Sequence, residues 1–254
     1  MKRSFLAAAF LALFSTTAFS APDVVVTPRK YAVLSLIGDT VNVVVFQMST
    51  GSLLDRNRHE SFPVPDTVFD RAALLAAEES LKRIDAQSSV SLFSARSPDL
   101  FSEQWKLFDG LRIVLPDELN TTIKNAGATH LILMTKHRGE ASLEAQSRKL
   151  GSGMLEGVGL YVDRQTRLRR SDTRQAAQGF LAPFVYVKIS FVDLASSTVI
   201  RQQVITSTTT LSAARSNEGF DPWEVLTAPE KIDTLRRMVV LEVTRVVPLL
   251  VAAP

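Results

Sequence analysis

The chain has 254 residues, 46% of them hydrophobic and 22% charged, with no cysteine and a formal net charge of +3. That composition excludes disorder as the default state. It also excludes disulfide staples, so a hydrophobic core must hold the fold together.

The first stretch reads as an export signal. Lys2 and Arg3 supply a positive n-region, and Phe5 to Phe14 an apolar h-region too short to span a bilayer comfortably. Ala18 and Ser20 are small residues suited to a cut after Ser20. The expected location is the periplasm or the medium. No cysteine follows the cut, so a lipoprotein anchor is not expected. Residues 1–20 are then the signal and residues 21–254 a single mixed α/β domain. Loss of Lys2 and Arg3 takes the net charge from +3 to +1, which gives no reason to expect a nucleic acid partner.

Tyr31 to Ile37 and Val41 to Phe46 are two β-rich runs. Gly38-Asp39 between them suits a tight hairpin turn, because glycine tolerates positive φ. Ser49 to Pro65 is polar and proline-bearing and reads as a solvated loop, with Arg56, Arg58, His59 and Glu60 on it. Thr67 and Asp70 have the spacing of a capping box. The helix they start reaches about Ala86, with Phe69, Ala73, Ala76, Leu81 and Ile84 on its apolar side. Ser88 to Phe93 reads as a short strand. Ser97-Pro98-Asp99 starts another helix, and the spacing of Phe101, Trp105 and Phe108 predicts an aromatic stripe facing the core.

The fold is best organised around Leu115 to Lys136. Pro116, Asp117 and Glu118 suit a helix N-terminus, and Gly127 its left-handed end. His130 to Thr135 is apolar without alternation, as in a strand buried on both faces. From about 137 to 182 the chain holds Gly151, Gly153, Gly157 and Gly159, and then Arg164, Arg167, Arg169, Arg170 and Arg174. Only Val158 to Val162 looks β-like there, so a long Gly/Arg-rich segment is predicted that is either a functional loop or disordered.

Pro183 to Leu194 alternates, with Val185, Val187, Ile189 and Phe191 on one face. Tyr186, Lys188 and Ser190 take the other, which predicts a half-solvated antiparallel strand. A turn at Ala195 to Thr198 leads to a Thr-rich partner strand, Val199 to Thr210. Thr227 and Glu230 form a second capping box. The helix behind it carries a stripe through Ile232, Leu235, Val239, Val243 and Val246, with Pro248 as its end. Glu242 and Arg245 interrupt its apolar run, so no transmembrane span is expected in residues 21–254. The fold class that results is α+β, or mixed α/β: one mixed sheet with antiparallel hairpins and helices packed on it.

The order of helix, Gly127-Ala128-Thr129-His130, apolar strand, glycine-bearing segment and Val192-Asp193-Leu194-Ala195-Ser196-Ser197-Thr198-Val199-Ile200 hairpin resembles a known α/β domain. It is similar to that of curli-secretion-channel-like lipoproteins and the TolB N-terminal domain, over roughly residues 113–205. The resemblance implies an envelope protein that works by protein contacts without catalysis.

His130 and His137 lie seven apart, which puts them on opposite faces of any continuous strand, and without cysteine a closed zinc site is not expected. There is no Gly-x-Ser-x-Gly elbow and no phosphate loop, and Glu156 stands where a dinucleotide fingerprint needs its third glycine. No cofactor and no metal are expected. Three functions stay open: an exported non-catalytic protein that contacts another envelope protein, a binding module for an anionic envelope ligand, and an unrecognised periplasmic hydrolase. The residues expected to make the partner or ligand contact are Arg164, Arg167, Arg169, Arg170 and Arg174.

Overall fold

The computed structural model describes residues 29–252, apart from 39, 49–54, 65–66, 146–147, 170–172 and 217–219. The export signal and Arg170 lie outside the described residues. In chain order the strands are β1 (Lys30–Leu36), β2 (Thr40–Val45) and β3 (Arg58–Pro63), then helix α1 (Val68–Ile84), β4 (Ser89–Ser94) and the short α2 (Pro98–Ser102). A 3-10 turn (Gln104–Leu107) leads to the two-residue strands β5 (Phe108–Asp109) and β6 (Arg112–Ile113), α3 (Asp117–Asn125) and β7 (His130–Lys136). There follow β8 (Arg138–Glu140), β9 (Leu143–Ala145), β10 (Arg148–Leu150), β11 (Met154–Arg169), β12 (Ala176–Asp193), β13 (Thr198–Thr208) and β14 (Leu211–Ser212). Helix α4 (Ala228–Val251) closes the chain. The fold is α+β, a mixed sheet with antiparallel parts and helices packed on it.

The sheet is built on β12. Along one edge of this 18-residue strand, β11 pairs with residues 176–186 and β7 with residues 187–193, end to end. β1 lies parallel to β7, and β2 parallel to β11. So β1 and β2 run in the same direction and do not form the predicted hairpin. Gly38, at φ +88°, bends the chain from one half of the sheet into the other. β4 extends the first half beside β1, and β3 extends the second beside β2. β13 lies on the other edge of β12.

Alternation along the strands buries both faces. Tyr31, Val33, Ile132, Val187, Ile189 and Phe191 share one cluster with the inner sides of α1 and α4. Ala32, Leu34, Leu131, Leu133 and Val192 face the other way, onto Ile123 of α3 and Leu107. In the second half Tyr161, Phe180, Phe184 and Tyr186 pack under Ala141 and Leu143. The Tyr186 hydroxyl accepts from Ser142 N at 3.0 Å and donates to Glu140 O at 3.1 Å, which pins that cover down. β7 is therefore central and two-sided, as its unbroken apolar run predicts.

Several local readings give way to tertiary packing. The 137–182 segment is mostly strand, and β11 and β12 form one long hairpin. β12 is buried on both faces rather than half-solvated, because the cover over Tyr186 excludes water there; Tyr186 and Ser190 are fully buried. Residues 58–63 form edge strand β3 instead of a loop, since backbone pairing with β2 requires no apolar pattern. At α1 Thr67 sits at φ +45° with no side-chain cap hydrogen bond, and the buried Asp70 carboxylate accepts from Ser35 Oγ and Gly38 N. The aromatic stripe breaks up, because the helix stops at Ser102, and Trp105 is 72% exposed while Phe101 and Phe108 pack inward. Ile84 is exposed. Pro248 lies within α4, which runs on to Val251. At its start the second capping box does form, with Thr227 N donating to Glu230 Oε2 at 2.8 Å. No helix among the described residues is long and apolar enough to cross a membrane.

Candidate functional site

Among the described residues, two concavities that collect polar side chains lie at opposite ends of β11. The first holds arginines singled out from the sequence. After Asp163 the register of β11 against β12 shifts, resuming at Arg167 opposite Gln178. Buried Asp163 holds this bulge, its carboxylate accepting from Gln165 N at 2.6 Å and Thr166 N at 2.8 Å. Bulges re-aim side chains. Here Arg164 turns toward Asp221, with Nη2 3.3 Å from its carboxylate. Opposite the bulge Gly179 has φ +98°, and a Cβ there would come within 2.5 Å of Pro222 Cγ, so the 220–222 segment seats directly on it. The result is an open groove of about 870 Å³ lined by Arg164, Gln165, Arg167, Gln178, Phe220 and Asp221. Phe220 is 47% exposed in it. Of the predicted arginines, Arg164 and Arg167 therefore share one surface. Arg169 is exposed further along β11, and Arg174 is exposed in the hairpin turn at φ +58°.

The second concavity, of about 370 Å³, lies at the seam where β7 ends and β11 begins. It is lined by Asn42, His59, Ser61, Lys136, Arg138 and Glu156, with Glu60 at its rim. Strand spacing puts Lys136 and Arg138 on one side and His59 and Ser61 on another. Ser61 Oγ donates to Asn42 Oδ1 at 2.6 Å, and Asn42 Nδ2 donates to the Glu156 carbonyl at 2.7 Å. His59 Nε2 lies 3.1 Å from Asp55 Oδ2. Burial raises the Asp55 carboxyl, but N–H donors from Met154 and Asn57 and the nearby His59 together hold it below its ordinary value. Ser61 bonds Asn42 and not His59, so Asp55, His59 and Ser61 are not a nucleophilic triad. Sequence reasoning left this group out because its members come from strands far apart in the chain.

His130 stacks on Phe191 with ring centroids 5.1 Å apart, and its Nδ1 lies 2.8 Å from Thr129 Oγ1. It is a sheet residue, as expected. Lys188 is drawn inward, its ammonium 3.5 Å from the Phe108 ring centroid, and burial lowers its pKa. Among the described residues no group of three or more His, Asp or Glu side chains is placed to hold a metal ion.

No protein-family model matches the chain, and no curated protein is significantly similar to it. Among solved structures it is similar to a neuraminyllactose-binding hemagglutinin homolog from Helicobacter pylori, at 10% identity and a TM-score of 0.33 over 86% of each chain. It is similar to protein XCC0632 of Xanthomonas campestris, of the DUF330 family, at 7% identity and a TM-score of 0.37 over 86% of this chain and 81% of that one. It is also similar to PelC of Paraburkholderia phytofirmans, solved as a dodecamer, at 10% identity and a TM-score of 0.32 over 89% and 90% of the two chains. None of the three is a curli-secretion-channel-like lipoprotein or a TolB domain. The resemblance to those families thus reaches no further than a mixed sheet with helices, and likenesses at this level assign no function.

Proposed function

We propose that this is an exported envelope protein that works by binding rather than by catalysis, and that its contact with a partner protein is made at the end of the β11–β12 hairpin. The observation that carries the reading is the groove in which Arg164 and Arg167 stand beside the exposed ring of Phe220. Aromatic and arginine side chains are the residue types enriched where protein interfaces are strongest. Arg167 is paired opposite Gln178 and Arg164 lies in the bulge that Asp163 holds, so their backbone is ordered before any partner arrives and less entropy is lost on binding. Arg164 is engaged by Asp221, whereas Arg167 has no ion pair among the described residues. A partner presenting carboxylates would meet Arg167 first and could then compete with Asp221 for Arg164. The same guanidinium groups would suit an anionic envelope ligand, the second reading.

The export half rests on Lys2, Arg3, the Phe5 to Phe14 run, Ala18 and Ser20. Intact mass of protein from the cell envelope tests it, with Ala21 the expected first residue and retained Met1 the result against it. Crosslinking in intact cells tests the contact. Replacing Arg164, Arg167 and Phe220 together by Ser should leave the melting profile close to wild type and remove the dominant crosslinked partner. An unchanged crosslink yield from the folded triple variant overturns the contact. Retention of lipid or polysaccharide alone favours the second reading.

A further inference from the structure

The seam cleft carries an inference independent of the hairpin groove. At the seam the two halves of the sheet part, and the chain turns there on Gly38 and Gly157, at φ +88° and +70°. The Lys136 side chain lies across both. A Cβ on Gly157 would stand 3.4 Å from Lys136 Cγ, and one on Gly38 would stand 3.5 Å from Cε and 3.7 Å from Nζ. The glycines leave room for the lysine stem to pass, and the half-buried Lys136 lines the cleft. No described carboxylate lies within ion-pair distance of its ammonium, and it makes no side-chain hydrogen bond. Arg138, two residues on, lines the same cleft and is likewise without an ion pair among the described residues.

The remaining charges are already arranged. Glu60 is held by Arg58 at 2.9 Å, and Asp55 by His59 at 3.1 Å. Glu156 stands opposite Arg138 in the β8–β11 register but outside ion-pair distance. Among the described residues, two cations without an ion pair, Lys136 and Arg138, therefore share the cleft with one carboxylate without one, Glu156. A bound oxyanion would meet both cations at once with charge-assisted hydrogen bonds. A volume of about 370 Å³ suits a small molecule and not a polymer segment. Glu156, next to Arg138 across the strand pair, and Ser61 Oγ supply acceptors in the same cleft for hydroxyl or amine groups of the ligand.

We propose that the seam cleft is a binding site for a small oxyanion-bearing molecule, a carboxylate or a phosphate, held between Lys136 Nζ and the Arg138 guanidinium. Nitrogen-15-labelled protein titrated separately with inorganic phosphate and with succinate tests this and tells the two sources apart. Saturable shifts are expected at residues 42, 59–61, 136–138 and 154–157 for at least one of them, with a Kd tighter than about 10 mM. Arg138→Gln and Lys136→Met should each weaken binding about tenfold or more, the loss of one charge-assisted contact. Glu156→Gln should tighten it, by removing a like charge. Arg167→Ser, in the hairpin groove, should leave it unchanged. Should Lys136→Met fail to fold, the opposite responses of the Arg138 and Glu156 variants still decide the matter. Non-saturating shifts spread over the surface overturn the proposal. So does an affinity unmoved by Arg138→Gln and Glu156→Gln.

Discussion

Ile132 is the sharpest probe of the frame on which both concavities rest. It lies in β7 between Val33 of β1 and Phe191 of β12, fully buried beneath α1 and α4. Ile132→Ala deletes Cγ1, Cγ2 and Cδ1, which by transfer energy alone costs about 2.4 kcal/mol at about 0.8 kcal/mol per carbon. Paired strands on both sides limit how far the site can collapse, so a cavity term adds to this and the total should fall at about 3–5 kcal/mol. With a urea m-value of about 3 kcal/mol/M for a chain of this size, the midpoint should drop by about 1–1.7 M. Trp105→Ala is the control. Its ring is 72% exposed, so the midpoint should move by less than about 0.3 M. Urea melts followed by circular dichroism measure both. An Ile132→Ala loss under about 1 kcal/mol would refute the central placement of β7.

Three further outcomes follow from packing and charge. Gly159→Ala should destabilise by about 3 kcal/mol or more, measured by urea melt, because its Cβ would overlap the Asn42 carbonyl and stand 2.5 Å from Phe184 Cζ. Asp70→Asn should cost about 1.5–3 kcal/mol, since it weakens charge-assisted bonds to Ser35 Oγ and Gly38 N at the bend between β1 and β2; a neutral result in the same melt would deny Asp70 that role. Burial and Arg29 hold folded His130 below 6.5, and burial and Lys188 do the same for His137. The unfolded chain therefore binds more protons below that pH, so stability is full above 6.5 and falls as pH drops through it. The double His130→Gln, His137→Gln variant should flatten the urea midpoint between about pH 7.5 and about pH 5, and an unaltered slope would assign the acid sensitivity elsewhere.

The hairpin-end arginines were legible in the sequence as a cluster, but their geometry was not. Arg164 and Arg167 come to one groove only because a bulge held by Asp163 re-aims the strand and residues 220–222 seat on Gly179. The seam cleft was not legible at all. Asn42, Ser61 and Lys136 lie on strands paired over long sequence separations, and no local spacing records that they meet.

Local physics settles what is local. The apolar run from His130 to Thr135 demanded a two-sided strand, Gly127 ended α3 at φ +68°, and Thr227 with Glu230 began α4. Those features depend on backbone preference and on side-chain burial within one element. What the sequence could not determine was pairing. Gly38 looks the same whether the chain reverses into a hairpin or bends onward, and the choice fell to β12, which is long enough to template β7 and β11 end to end. Backbone hydrogen bonds made that choice, and they carry no side-chain signature. For the same reason the glycines and arginines of residues 154–169 read as loop, yet fold as strand once a partner satisfies their N–H and C=O groups.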